Sequence, residues 1–453
     1  MNINIKMKVD RIFYKTFFSI AILLVCQNVI TLSVNLADNI MLGGYSELAL
    51  SGVAAVNQVQ FVFQQLIGAL GDGLVIIGSQ YWGKRQLEPM KNIAAVAMRT
   101  AGVVVLVLFL IVSVFPNQTL GLFTTDSKII AEGVRYLNVI RFSYLFFAIT
   151  QILLATLRSA EVVRVAFWLS VQTLLVNCGI NYVLIYGKFG FPEFGATGAA
   201  YGTLIARIFE TVVLSLYIIK AEKNLKLRIS DYIKCDKPLM KDYIRITAPI
   251  LLISGLWGLN TAMQTVILGH MDSSAIAANS ASSTLFLTVK SVAIGTASAA
   301  SIMIGKSIGE GDIHVVKGYT RALQKIFVIV GICGGIFLFF IRIPVLSLYD
   351  LTEETRAMAN TFLIILSVAF VGMSYQMPTN IGLIRGGGDA KFVMKMDLIS
   401  IWGIVIPLSL VMAFLVEAPP AIVVCCLNAD QIFKCVPAFI KVNYGNWIHK
   451  LTR

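Results

Sequence analysis

Residues Phe17–Leu36 read FFSIAILLVCQNVITLSVNL, twenty residues without one charge. A helix crossing the hydrocarbon core of a bilayer needs about 20 mostly apolar residues. Lys6, Lys8, Arg11 and Lys15 precede the run, as in a secretory leader. The run is longer than the apolar stretch of such a leader, and no small-residue cleavage site follows it. The reading is a first membrane helix that stays in the mature protein.

The rest of the chain repeats this pattern. Apolar segments fall at 16–41, 50–80, 94–115, 130–155, 163–187, 195–219, 246–270, 277–304, 322–341, 358–384, 392–415 and 420–440. They are continuous rather than alternating, which excludes the strands of a membrane barrel. Of the 453 residues 57% are hydrophobic and only 13% charged, about half the charge of a soluble domain. The expectation is an all-α membrane protein of twelve helices with no sizeable soluble domain. Seven cysteines without C-x-x-C spacing read as small apolar residues.

A net charge of +13 would point to nucleic acid in a soluble protein, but here the basic residues lie scattered between apolar runs. Of 37 Lys and Arg, 29 fall in the N-terminus, alternate loops and the segment from Lys434 onward. The opposite side holds only Lys128, Lys188, Arg342 and Arg356, and the spans hold Arg135, Arg141, Arg207 and Lys290. The positive-inside rule then places both termini in the cytoplasm of an inner membrane.

The two halves resemble each other at an offset of 226–227 residues. Met41-Leu42-Gly43 echoes Ile267-Leu268-Gly269, Gly83 precedes Gly309, Leu120-Gly121-Leu122-Phe123 matches Leu346-Ser347-Leu348-Tyr349, and Leu157-Arg158-Ser159 matches Ile384-Arg385-Gly386. The expected organisation is an N-terminal lobe over 1–220 with helices 1–6, a cytoplasmic basic linker over 221–245, and a C-terminal lobe over 246–453 with helices 7–12. Parallel repeats of this kind place a substrate site near the bilayer midplane.

Three stretches stand out at helix ends: Ala37-Asp38-Asn39-Ile40-Met41-Leu42-Gly43, Asn181-Tyr182-Val183-Leu184-Ile185-Tyr186-Gly187 and Gly195-Ala196-Thr197-Gly198-Ala199-Ala200-Tyr201-Gly202-Thr203. Ala248-Pro249, Leu256-Trp257-Gly258 and Arg385-Gly386-Gly387-Gly388-Asp389 complete the set. In their order along the whole chain they resemble the bacterial MATE (multidrug and toxic compound extrusion) family. The resemblance implies two six-helix bundles facing each other in a V and proton- or sodium-driven export of organic cations and drugs. It also implies an ion or proton site at Asp38 with Asn177, Asn181 and Thr203. Where some members carry a second acid, this chain has the amide of Asn181. Many relatives have a Glu in helix 7 where Ser254 stands here.

An intramembrane carboxylate costs roughly 2.5–3.5 kcal/mol on insertion scales, so Asp38 should meet water, a proton, a cation or a partner. It reads either as a coupling-ion site or as a solvated residue near the helix end. Its oxygens, with amide and hydroxyl neighbours, suit sodium, while a buried carboxyl can equally hold a proton. No cofactor is expected beyond that ion. The repeat partner of Asp38 is Gln264, so the halves differ in chemistry. Lys290 is mid-span with Gln64 as repeat partner. It can pair with Asp38 or Asp397, or neutralise an anionic substrate. Asp397 reads as an acid of the second lobe or as a solvated helix start. Gln64, Ser254, Trp257, Gln264, Lys290 and Asp397 form the expected substrate cavity, Arg207 and Glu210 a pair within helix 6, and Pro249 a kink in helix 7. Asp72 and Arg141 can line the cavity or pair within it.

The reading is an ion-coupled antiporter exporting small organic molecules, working as a monomer in contact with lipid and without nucleic acid. A flippase or exporter of an anionic or lipid-linked metabolite is the alternative. The chain shows no metal-binding or nucleophilic constellation of the kind a membrane-embedded enzyme needs.

Overall fold

The computed structural model describes residues 11–222, 225, 227, 231, 236–271, 273–347 and 351–453. Lys6, Lys8, Leu348, Tyr349 and residues 223, 224, 226, 228–230 and 232–235 of the basic 221–245 linker lie outside these. The described residues form the helices α1 (Arg11–Gly43), α2 (Glu47–Gly83), α3 (Leu87–Val114), α4 (Pro116–Gly121), α5 (Ser127–Ile140), α6 (Ser143–Ser159), α7 (Arg164–Tyr186) and α8 (Ala196–Lys220). After the linker come α9 (Lys237–Gly269), α10 (Ser273–Glu310), α11 (Ile313–Leu346), α12 (Glu353–Pro378), α13 (Ala390–Asp397), α14 (Ile406–Phe414), α15 (Pro420–Leu427), α16 (Asp430–Phe433) and α17 (Cys435–Tyr444). Wider π-helical turns over Thr379–Arg385 and Leu398–Val405 prolong α12 and join α13 to α14.

Among the described residues eleven helices or helix runs are long and apolar enough to cross a membrane, and the pair α5–α6, bent by 53°, makes twelve when taken as one broken span. Each corresponds to one of the twelve apolar segments of the sequence. The helices outrun those segments because hydrogen bonding, unlike hydropathy, continues through charged turns. Thus α9 starts at Lys237 and passes through Pro249 without a break. Turn residues set the other ends. The Ser46 hydroxyl accepts from the Ala49 N–H at the start of α2, the Asp312 carboxylate caps α11, and Gly187, at φ +62°, closes α7 in the left-handed conformation. At the α5–α6 bend the Arg141 guanidinium stands over the rings of Phe109 and Phe142, at 5.6 and 5.3 Å.

The chain gathers into two compact units, one of Cys26–Leu251, the other of Leu252–Arg453 with the described part of Met1–Val25. The divisions cut α1 and α9 at points 226 residues apart, the offset of the sequence repeat.

In the Cys26–Leu251 unit α2 is the central element, buried along most of its second half from Ala69 to Tyr81. Small residues bring its neighbours close. A Cβ on Gly52 would lie 2.9 Å from the Gly133 nitrogen of α5, and one on Gly73 would overlap the Thr247 hydroxyl of α9. The Tyr243 hydroxyl donates to the Leu70 carbonyl at 2.8 Å. Such close backbone approach holds helices together where no hydrophobic force acts between them. Val103, Leu106, Val107, Leu110 and Val114 form an exposed apolar row on α3, the face a helix turns to lipid.

In the other unit Phe362, Leu363, Leu366 and Phe370 of α12 anchor an apolar cluster with Leu338, Val405 and Val423. Gly331 and Gly335 let α11 approach the backbone of α12, where added Cβ atoms would meet the Val371 and Ser367 carbonyls at 2.8 Å. One expectation from the charge pattern is corrected here. Lys434, assigned to the cytoplasmic tail, sits inside the run Pro420–Tyr444 with a side chain only 4% exposed. Two carboxylates neutralise it there, which is why a lysine is tolerated within an otherwise apolar segment.

Candidate functional sites

Each unit carries a polar cluster among its apolar helices that includes residues singled out in the sequence. In the Cys26–Leu251 unit it forms where α7, α8 and α1 meet. Gly198 and Gly202 make a G-x-x-x-G face on α8. A Cβ on Gly198 would lie 2.6 Å from the Leu184 carbonyl, and one on Gly202 would overlap Asn181 Oδ1. Only glycine lets the α8 backbone come this near to α7, and this approach presents Thr203 to Asn177. The Asn177 amide N–H donates to Thr203 Oγ1 at 3.3 Å. The Asn181 Nδ2–H donates to Asp38 Oδ1 at 2.6 Å and lies 3.3 Å from Asn177 Oδ1. The four residues singled out in the sequence therefore form one hydrogen-bonded string, Thr203–Asn177–Asn181–Asp38.

Both asparagines are fully buried, while Asp38 is half-buried and opens onto a cavity of about 40 Å³. Gln60, Gln64, Tyr136, Thr203 and Arg207 share its walls. That volume holds a few water-sized groups, which suits an ion with its water better than a drug-sized molecule. Asn181 Oδ1 is buried with no hydrogen-bond partner among the described residues, so the string retains an unused oxygen. Arg207 pairs with Glu210 at 2.7 Å, as its spacing predicted, and lies 5.1 Å from the Phe147 ring. It also faces the cavity, a role its sequence context did not reveal. Gln64, expected in the substrate cavity, lines this one. A signal was present: Asn57, Gln60 and Gln64, at i, i+3 and i+7, are a polar stripe on an otherwise apolar α2.

The second cluster lies in the other unit. Lys434 Nζ contacts Asp397 Oδ1 at 2.7 Å and Asp430 Oδ2 at 2.9 Å. From Asp430 the contacts continue through Gln431 and Gln376 to Asn380, each step at 2.9 Å. Asp397 is thus neither an unpaired acid nor a solvated helix start, because the next span places an ammonium against it. Lys290 forms no pair with Asp397. Its ammonium stands over the Trp257 ring, 4.7 Å from the centroid. Ser254, Trp257 and Gln264 follow at i, i+3 and i+10 on α9 and share one helical face. Asp430, Gln376 and Gln431 escaped the sequence reading because nothing in the sequence shows that α12 and α16 bring them together.

The sequence profile of the MatE family matches residues 24–183 and again 249–411. The chain belongs to the MatE family. The second match begins 225 residues after the first, so the profile finds the duplication within this MatE protein as well. A probable multidrug resistance protein of Bacillus subtilis, YoeA, is 27% identical over 379 residues, covering 81% of this chain and 80% of that protein. A probable multidrug resistance protein NorM of Thermotoga maritima is 25% identical over 409 residues, covering 88% and 85%. The crystal structure of a MATE in complex with MaL6 superposes with a TM-score of 0.87 at 15% identity, covering 95% of each chain. Fold and family are those of a multi-pass MATE membrane transporter.

Proposed function

We propose that this chain is a cation-coupled antiporter that exports small organic molecules across the cytoplasmic membrane. Its coupling ion, a proton or sodium, binds at Asp38. The carrying observation is the string Thr203–Asn177–Asn181–Asp38 at the wall of a small cavity. A half-buried carboxylate in a membrane span is retained at a cost that binding a cation offsets. Asn181 Oδ1, Asn177 Oδ1 and Thr203 Oγ1 add hard oxygen donors around it. The names of the multidrug resistance relatives support the export of organic molecules. In this reading the protein is a transporter rather than an enzyme, works as a monomer surrounded by lipid, binds no nucleic acid, and keeps both termini in the cytoplasm.

The test is efflux of fluorescent organic substrates, one cationic and one anionic, from proteoliposomes under separately imposed proton and sodium gradients. Wild-type protein is expected to respond to one gradient, and Asp38→Asn to lose that response while retaining downhill exchange. Undiminished gradient-driven efflux by Asp38→Asn refutes the assignment.

A further inference from the structure

Lys290 is the cation that the coupling site does not use. It lies 17 residues from the start of α10 and 20 from its end, roughly 25–30 Å from either terminus at 1.5 Å per residue. A lysine stem cannot bring its ammonium to an interface from there. Among the described residues no carboxylate pairs with Lys290. Asp397 and Asp430 of its own unit are both engaged by Lys434, so Asp430 attracts Lys290 only through space, and Lys434 repels it. The Trp257 face supplies cation–π attraction, which leaves the ammonium with N–H donors to spare. One turn along α9, on the Trp257 face, Asn260 is only 8% exposed and its Oδ1 has no hydrogen-bond partner among the described residues. One turn back along α10 from Lys290, Phe286 adds a second ring, packed edge-on against Phe370.

We propose that Lys290 and Trp257 form a docking site for the anionic group of an aromatic organic acid carried by this transporter. The carboxylate pairs with the Lys290 ammonium, the aromatic body lies along the Trp257 and Phe286 rings, and Asn260 Oδ1 accepts a hydrogen bond from a donor on the ligand. The proposal rests on the reading of the chain as an exporter and adds a substrate class to it. The mid-span position favours a substrate over a lipid phosphate, because headgroups lie at the ends of spans.

The test is fluorescence anisotropy of 1-pyrenebutyrate and of its methyl ester, titrated with full-length protein in phosphatidylcholine nanodiscs. Wild type is expected to bind the acid at least tenfold more tightly than the ester. Lys290→Met is expected to lose that preference by roughly tenfold or more, the range of a charge-assisted hydrogen bond, with ester binding unchanged. Lys290→Arg is expected to keep the preference. Equal affinity of wild type for acid and ester overturns the proposal without recourse to any variant, and so does equal loss of both ligands in Lys290→Met. Competitive displacement of the acid by phosphatidylglycerol in the nanodisc also overturns it, since the occupant is then a lipid headgroup. Binding is read without a gradient, so failure of Asp38 coupling leaves this result intact, and the converse holds.

Discussion

Replacing Lys434 by methionine removes the ammonium and leaves Asp397 and Asp430 facing each other. At an effective dielectric constant of 20, each contact of Lys434, at 2.7 and 2.9 Å, is an attraction of about 6 kcal/mol. The two carboxylates, held on one Nζ, repel each other by about 3 kcal/mol on the same scale. Desolvating three ions costs several kcal/mol each, so the intact trio is near break-even against an apolar core. Its disruption is not: the attraction vanishes while the repulsion and most of the desolvation remain. A loss of about 3–5 kcal/mol is expected for Lys434→Met alone. On the scale of a unit of this size that lowers the thermal midpoint by roughly 10 °C. The triple variant Lys434→Met, Asp397→Asn, Asp430→Asn carries no buried charge at the site and is expected to recover most of that loss. The assay heats detergent-solubilised protein and follows the monodisperse fraction by size-exclusion chromatography. A single variant as stable as wild type, or a triple variant no better than the single, refutes the account of the trio as a charge-compensated cluster.

Two further predictions concern glycines. Gly202→Ala pushes a methyl into Asn181 Oδ1 and is expected to break the Asn181–Asp38 hydrogen bond, worth about 1.5–3 kcal/mol. Gradient-driven efflux should fall tenfold or more, while Gly179→Ala on α7, where an added Cβ meets nothing within 4 Å, should match wild type in the same proteoliposomes. Gly187→Ala forces a side chain into φ +62°, with the Glu193 nitrogen 3.0 Å from the new Cβ. It is expected to cost about 1–2 kcal/mol, read as a lower thermal midpoint with coupling intact.

Much of this architecture was legible in the sequence because lipid imposes a coarse rule. A span must be apolar over its full length, and each of the twelve runs obeys it. Asp38, Asn177, Asn181 and Thr203 were found through family resemblance, and the structure draws them into one string. Lys434 was misassigned because a charge count sees only the distance from a helix end, whereas its burial depends on carboxylates at positions 397 and 430. Lys290 and Trp257 were grouped in one expected cavity, but not as a contacting pair. That tryptophan, 33 residues earlier in the chain, becomes the neighbour of Lys290 only when α9 and α10 pack together. Gln64 was grouped with Lys290 through the repeat, which relates positions by ancestry and not by contact.

The close approach of α8 to α7 also constrains how the Asp38 site can change over time. Gly202 leaves Asn181 no room to grow, so any residue with a longer side chain must prise the two helices apart. Aspartate has the same shape as asparagine and needs no extra space. The packing therefore fixes the size of the group at position 181 while leaving its charge adjustable. Under the coupling proposed for Asp38, a lineage can add or remove a carboxylate beside it, and with it change the number of cations moved per cycle, without rebuilding the bundle that holds them.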